Sequence, residues 1–170
     1  MSNGTKVVKR DGSIELLDLD KMHIMVEEAC KGLGGVSASQ VEIQSGIQFY
    51  DGITTAEIQE ILIKSASDLI SVDNPNYQYV AARLLLFSVR KSLYGGIRDL
   101  PHLEQHIYSC TNIDVYDKDI FTKYSKEEID KANGFIDHSR DFLFTYAGLR
   151  QVVDKYLVQD RRGGGVYESP

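Results

Sequence analysis

A short hairpin signal near the N-terminus constrains the fold more than any other stretch of this sequence. Residues 6–17 form two apolar-rich runs separated by Asp11-Gly12. An Asp-Gly pair between such runs indicates a tight turn, because glycine tolerates the positive φ that hairpin turns require. An isolated hairpin is marginally stable in water, so we expect helices to pack beneath it.

Four amphipathic helices are predicted to follow the hairpin. Apolar residues recur in them at helical spacing, and a Thr-x-x-Glu capping box, from Thr54 to Glu57, opens the third. We expect the second helix to turn Ile43, Ile47 and Tyr50 inward. The predicted helices run from Asp18 or Asp20 to about Lys31, from Ser37 or Ser39 to about Tyr50, from Thr54 to before Asp73, and from about Tyr77 to Tyr94.

Length and composition indicate a soluble globular protein. The 170 residues, 42% hydrophobic and 26% charged, fit one domain, or one small domain with an extension. A net charge of −6 argues against a general nucleic-acid binder, which would present a basic face. No apolar run approaches the roughly 20 residues of a membrane span, and no signal peptide is apparent. Cys30 and Cys110 lack metal-type spacing, so we expect a reduced, cytoplasmic protein.

The chain after about Ile97 is expected to be helical and polar. His102 and His106 have the i, i+4 spacing of a zinc pair, but no third ligand is evident, and we interpret them as surface histidines. Apolar residues between Asp141 and Leu157 recur at helical spacing. They predict one amphipathic helix over that range.

Four cations are candidates for binding a polyphosphate. Lys9 and Arg10 lie at the hairpin tip, Lys21 in the first turn of the first helix, and Lys91 near the end of the fourth. Lysine and arginine both suit phosphate oxygens. The alternative is that these charges are solvated surface residues. The sequence has no Walker-type Gly-x-x-x-x-Gly-Lys, so a nucleotide site here would not be a P-loop.

Neutral and acidic residues near these cations suggest further contacts. The N-terminus of the third helix, with the hydroxyls of Thr54 and Thr55, is a second feature that favours an anion. Glu15 and Asp18 repel phosphate, so their role would be to accept hydrogen bonds from an adenine amino group or a ribose hydroxyl.

Several segments, in order along the chain, resemble the large subunit of class I ribonucleotide reductases. Residues 9–12 (Lys-Arg-Asp-Gly), 48–53, 68–71 and 76–84 are similar to the ATP cone, the nucleotide-sensing module at the front of many such subunits. Later segments resemble the helical region that precedes the catalytic barrel and the threshold of the barrel itself; they are residues 135–138, 140–141, 144–147, 155–158 and 167–170.

The resemblance implies an α+β, mostly α fold: a four-helix bundle capped by a small β-hairpin sheet, then a helical connector. Residues 1–95 would form the ATP cone, and residues 96–170 a helical region leading into a catalytic barrel absent from this sequence. ATP or dATP, with Mg²⁺, is the implied effector; ATP supports reductase activity and dATP inhibits it through an inhibited oligomer. The implied nucleotide-binding residues are Val7, Lys9, Arg10, Glu15, Asp18, Lys21, Thr55, Gln59 and Lys91.

Three positions depart from the family pattern. Asp18 stands where an asparagine is usual, and Gln59 and Ser88 stand where some members have histidine. Aspartate adds negative charge near the ligand and loses two N–H donors, while Gln59 and Ser88 lose groups that could become cationic beside phosphates. We expect the fold and nucleotide binding to survive, with altered affinity or altered ATP/dATP discrimination.

No residue of this chain is expected to carry out the reduction. The reductases need a radical-bearing cysteine and redox cysteine pairs, whereas Cys30 and Cys110 fit buried or incidental thiols. The chain is interpreted as truncated, or as the first part of a subunit encoded in two, with a catalytic part and a small radical-generating subunit as partners. Two alternatives stay open: a degenerate cone that serves only packing and assembly, and a transcription regulator built on an ATP cone, whose Cys-x-x-Cys zinc ribbon this sequence lacks.

Overall fold

The computed structural model describes residues 5–46, 48–160, 162 and 165–170. Helices dominate it, with one small sheet. In the described ranges no helix is both long and apolar enough to span a bilayer. The elements are β1 Lys6–Val8, β2 Ile14–Leu16, α1 Leu19–Cys30, α2 Ala38–Gly46, β3 Ile53–Thr54, α3 Thr55–Asp68, α4 Tyr77–Tyr94, α5 Leu103–Asn112, α6 Ile120–Lys123, α7 Lys126–Asn133, a 3₁₀ helix His138–Leu143, α8 Tyr146–Gln151 and a π-helical turn Val152–Tyr156.

The sheet has three strands in the order β2-β1-β3. The predicted hairpin is confirmed: β1 and β2 pair antiparallel with Val7 opposite Glu15, and Gly12 has a φ of 82° in the turn. The third strand was not predicted. β3 lies parallel to β1, with Val7 opposite Ile53, and the Lys6 N–H donates to Asp51 Oδ1 at 2.8 Å. Two residues are too few to show the alternation that identifies a strand in a sequence.

Side-chain caps set the start of the first and third helices. Asp18, rather than Asp20, caps α1, because its Oδ1 accepts the Lys21 N–H at 3.0 Å. The predicted capping box of α3 is confirmed, with the Glu57 N–H donating to Thr54 Oγ1 at 3.1 Å and the Thr54 N–H donating to Glu57 Oε2 at 2.8 Å. The N-cap of α1 and the capping box of α3 satisfy backbone N–H groups that the helix starts would otherwise leave unpaired.

One hydrophobic core lies beneath the sheet and between the helices. α4 packs against α3, α1 and α8, and α2 packs against α1 and α3. The sheet contributes Val7 and Ile53 to this core. The largest fully buried side chains are Tyr77 and Phe87 of α4. Burial of this apolar surface is the main favourable contribution to folding.

The predicted inner face of α2 is wrong. The helix ends at Gly46, and its buried residues are Val41 and Ser45, whereas Ile43 is 71% exposed. Tyr50, 54% exposed, lies beyond the helix and donates its hydroxyl to Glu57 Oε1 at 3.0 Å. Ile47 lies outside the described residues. Packing against α1 and α3 decided the buried face, since the sequence of α2 has apolar residues on more than one side.

The single helix predicted over 141–157 is also wrong. A 3₁₀ helix, a break, α8 and a π-helical turn occupy the range instead. Thr145 interrupts the helix because its hydroxyl accepts the Gly148 N–H at 3.3 Å as the N-cap of α8. The break lets Leu149, fully buried, and Phe142 pack against the core around α4.

Replacing Leu149 with alanine tests this packing. We expect Leu149→Ala to lower the free energy of unfolding by about 2–5 kcal/mol, because it removes a fully buried side chain and leaves a cavity. Leu143→Ala is the matched control, since Leu143 is 72% exposed, and should change it by less than about 0.5 kcal/mol. Urea denaturation followed by circular dichroism measures both; equal effects would contradict the packing of residues 138–156 against α4.

The capping box of α3 predicts an acid-sensitive contribution to stability. The Thr54 N–H, the Thr54 hydroxyl and the Tyr50 hydroxyl together hold the pKa of Glu57 below its usual range. A depressed pKa gives stability that is present above about pH 4.5, the ordinary value, and is lost as the pH falls through the lower, folded-state value. In thermal melts on acidification, Glu57→Gln should lose less stability than the wild type, and Glu60→Gln should follow the wild type. If the melting temperatures of the wild type, Glu57→Gln and Glu60→Gln fell in parallel on acidification, the contribution of ionised Glu57 to stability would be contradicted.

Candidate functional site

A cavity of about 500 Å³ opens where the hairpin, the start of α1, the start of α3 and the end of α4 meet. This volume lies within the range of small-molecule sites in proteins. The structure brings all nine predicted site residues to its wall: Val7, Lys9, Arg10, Glu15, Asp18, Lys21, Thr55, Gln59 and Lys91. They come from four separate elements, so only the folded chain places them together.

The cavity wall carries more positive than negative groups. Its cations are the four predicted ones, and its carboxylates are Asp11, Glu15 and Asp18. Two cations are paired across the wall: Lys9 Nζ lies 3.4 Å from Glu15 Oε2, and Lys21 Nζ lies 3.2 Å from Asp18 Oδ2. Arg10 and Lys91 form no ion pair within the described ranges. The excess positive charge suits an anionic ligand.

Hydrogen bonds to Asp11 and Asp18 favour the ionised form of these two wall carboxylates. The Lys21 N–H, followed by the Lys21 side chain, lowers the pKa of Asp18. The hydroxyl and N–H of Ser13 lower the pKa of Asp11. Ionised carboxylates only accept hydrogen bonds. The wall therefore offers cations for phosphate oxygens and acceptors for the amino or hydroxyl groups of the same ligand.

Gln59 is the most buried polar residue of the site, at 6% exposure. Its Nε2 donates to the backbone oxygen of Leu84 at 3.0 Å, so α3 and α4 are joined directly beneath the cavity. Ser88, the other position where the resemblance leads us to expect histidine in some members, is not part of the wall. Of the three departures from the family pattern, the structure therefore places two, Asp18 and Gln59, at the cavity.

Part of the wall was not predicted as site. Met22 and Met25 are not among the predicted site residues, yet they line the cavity, together with Asp11, Leu17 and Ile58. The apolar spacing of the first helix could not distinguish residues that line the cavity from residues that are buried in the core. Thr54 was predicted to present its hydroxyl to a ligand, but that hydroxyl donates to Glu57 Oε2 at 2.7 Å and Thr54 does not line the cavity.

A second cavity, of about 520 Å³, lies beside α5 and has different chemistry. Its wall includes Asp99, Tyr94 and His106 but no lysine or arginine. His106 packs edge-to-face against Tyr94 and Tyr116. Burial lowers the pKa of His106 and so favours its neutral form. A wall without a permanent cation does not favour polyphosphate.

The predicted helix face shared by His102 and His106 does not form. His102 precedes α5 as its N-cap and accepts the Glu104 N–H through Nδ1 at 3.3 Å. His102, Glu104 and Asp130 do bring possible ligand atoms within 4.8 Å of one another. Both ring nitrogens of His102 lie near protein groups: Nδ1 accepts the capping N–H, and Nε2 lies 3.6 Å from Asp130 Oδ1.

Comparison with known proteins agrees with the geometry. Residues 5–92 match the ATP cone domain family. The chain is 48% identical to the ribonucleoside-diphosphate reductase subunit alpha of Haemophilus influenzae and to the ribonucleoside-diphosphate reductase 1 subunit alpha of Escherichia coli, in each case over 169 residues and 99% of this chain. It is 41% identical over 166 residues, 96% of this chain, to the ribonucleoside-diphosphate reductase subunit alpha of Enterobacteria phage T4.

The aligned region is 22% of the length of each of these three proteins, so the chain spans about a fifth of the curated relatives it matches. That fifth is their N-terminal region. The family match covers more than half of this chain, from the first described strand to the last turn of α4. The chain therefore belongs to the ATP cone domain family and corresponds to the N-terminal region of ribonucleoside-diphosphate reductase alpha subunits.

Proposed function

We propose that this chain is the nucleotide-sensing regulatory segment of a ribonucleoside-diphosphate reductase large subunit. ATP, with Mg²⁺, binds the cavity between the hairpin and α4 and supports reductase activity, and dATP binds there and inhibits it. The observation that carries the proposal is the convergence of four cations and three carboxylates on one cavity of about 500 Å³. Family membership over residues 5–92 supports the same ligand.

The proposed binding mode follows from the charges on the wall. Lys9, Arg10, Lys21 and Lys91 contact the phosphates, since both residue types suit phosphate oxygens. Glu15 and Asp18 accept hydrogen bonds from the base or the ribose. Val7, Thr55 and Gln59 complete the proposed nucleotide contacts.

The proposed domain organisation and partners follow from the relatives. Residues 1–95 form the cone as a four-helix bundle capped by the sheet, and residues 96–170 connect it to a catalytic part, in the same chain or a separate one. The relatives are alpha subunits of reductases, and the proposed partner beyond the catalytic part is the small radical-generating subunit. The proposed setting is cytoplasmic deoxyribonucleotide synthesis, with no catalysis by this segment alone.

A degenerate cone that only packs and assembles is the second candidate. The observation that favours it is the engagement of site residues by the protein itself: Lys9 by Glu15, Lys21 by Asp18, and Gln59 by the Leu84 carbonyl. A polyphosphate must displace the two lysine pairs in order to use those cations.

Calorimetric titration with Mg-ATP and with Mg-dATP separates these two candidates. We expect about micromolar binding of both nucleotides to the wild-type chain. Lys9→Ala and Lys91→Ala should each weaken it at least about tenfold, because each removes a cation from the cavity wall. Lys64→Ala is the matched control, since Lys64 lies on α3 away from the cavity and pairs with Asp68, and it should bind within about twofold of the wild type. A folded chain that gives no heat at millimolar nucleotide would contradict the proposal and favour the degenerate cone.

Asp18→Asn is predicted to tighten nucleotide binding. Asparagine caps a helix about as well as aspartate, so α1 keeps its N-cap, while Lys21 is released from its ion pair and becomes available to phosphate. Since exposed ion pairs are weak, we expect about two- to fivefold tighter binding of Mg-ATP in calorimetry. Asp20→Asn, in the same first turn but outside the cavity wall, should leave the affinity unchanged. Weaker binding by Asp18→Asn would contradict a competition between Asp18 and phosphate for Lys21.

A further inference from the structure

One buried ion pair joins α4 to the 3₁₀ helix His138–Leu143, which packs against it. Arg90 Nη2 lies 2.5 Å from Asp141 Oδ2, and the two side chains are 3% and 10% exposed. All other ion pairs in the described part of the chain have at least one partner that is more than a third exposed. Since an unpaired buried charge is costly, Asp141 must follow Arg90 whenever α4 moves.

Further contacts of Arg90 strengthen this junction. Its guanidinium donates to the carbonyl oxygens of Ile97 and His138, both at 3.4 Å, and lies 5.7 Å from the ring centroid of Phe142. Phe142 also packs edge-to-face against Phe87 of α4, with centroids 6.1 Å apart. One arginine therefore holds the segment after α4 and the 3₁₀ helix together.

The junction is incompletely hydrogen-bonded as it stands. Arg90 Nε is buried and has no hydrogen-bond partner among the described groups, and Arg90 meets Asp141 through one nitrogen only. His138 Nδ1 is also buried without a hydrogen bond, although it lies 3.5 Å from Asp141 Oδ2. Arginine commonly binds a carboxylate through two nitrogens, so a small rotation of the guanidinium offers a second arrangement that satisfies Nε. A cavity of about 350 Å³, lined by Arg90, His138 and Phe142, gives room for that rotation.

The same turn of α4 reaches the candidate nucleotide site. Lys91, the next residue after Arg90, lines that cavity. One turn and a half earlier, the backbone oxygen of Leu84 accepts the Gln59 amide from the cavity wall. α4 is therefore linked to the cavity at two points, through Lys91 next to Arg90 and through the hydrogen bond from Gln59 to its backbone.

We propose that Arg90 is the positioning residue that couples nucleotide binding in the cone to the connector, by exchanging its contact with Asp141 between two hydrogen-bonded arrangements. The coupling rests on the proposed function, because it requires a nucleotide beside Lys91. In this proposal, nucleotide binding shifts the last turns of α4, and the buried ion pair transmits the shift to the 3₁₀ helix. The local conformational stability of residues 138–151 changes as a result. The observed contact through one nitrogen and a contact through two nitrogens, reached by rotating the guanidinium, are the two states that the proposed coupling requires.

Amide hydrogen exchange of the whole 170-residue chain, with and without saturating Mg-ATP, tests the coupling. In the wild type, Mg-ATP should slow exchange at the cavity wall and also, by at least about fivefold, in residues 138–151. In Asp141→Asn, Mg-ATP should still slow amide exchange at the cavity wall, and its affinity should stay within about threefold of the wild type. The ATP-dependent change of exchange in residues 138–151 should fall below about twofold. A purely structural role would change exchange in that segment equally with and without nucleotide.

Two further variants keep the test decisive. The double variant Arg90→Met with Asp141→Leu serves if Asp141→Asn does not fold, because a buried ion pair can commonly be replaced by two apolar side chains. It should also lose the ATP-dependent response of residues 138–151. Asp154→Asn is the matched control, because it breaks an exposed arginine–carboxylate pair, Arg150 to Asp154 at 3.1 Å, in the same region, and it should respond like the wild type.

The outcomes separate the coupling from the binding function. ATP protection confined to the cavity in the wild type, or a full response of residues 138–151 in folded Asp141→Asn or in the double variant, overturns the coupling and leaves nucleotide binding in place. Absence of any ATP-dependent protection in a folded chain overturns both. Loss of the response in the two Asp141 variants, with retention in Asp154→Asn, supports the coupling.

Discussion

Burial of α4 on several sides is the constraint on which the rest of this structure depends. α3, α1 and α8 all pack against it, and Leu84 at its centre is fully buried. Its polar side chains also fix its neighbours: Arg83 Nη1 donates to the carbonyl oxygens of Ala29 and Lys31 at 3.1 and 2.7 Å, which satisfies the end of α1. A helix that is apolar on most sides must be surrounded, so the other elements are arranged around it.

The candidate site is a consequence of this arrangement. β3 pairs with β1 of the hairpin, and Lys91 in the last turn of α4 lines the same cavity as the hairpin residues. Cations gather there although the chain as a whole carries a net charge of −6. Two of the four are paired with wall carboxylates, so an anionic ligand would compete with Glu15 and Asp18 for Lys9 and Lys21.

The nine residues predicted for a nucleotide site line one cavity in the structure, but the sequence alone could not bring them together. Their positions made Lys9 and Lys91 candidates for binding phosphate, but solvated surface lysines were still an open interpretation until the resemblance to a family was considered. The structure adds their convergence on one cavity and the apolar wall of Met22 and Met25. The buried pair of Arg90 and Asp141 was not foreseen, because a charged residue on a helix gives no sign in the sequence that it will be buried against a partner 51 residues away.

Local interactions were the part that the sequence determined by itself. The Asp11-Gly12 turn and the capping box at Thr54 each involve residues close in the chain, so their hydrogen bonds follow from the residue types at that spacing. The cap of the first helix was narrowed to Asp18 or Asp20, and the structure shows that it is Asp18. Only the tertiary structure decided the two-residue strand β3, the buried face of α2 and the break before α8. Those features depend on contacts between distant segments, whose free energy exceeds the weak local preference of a short or ambiguous stretch.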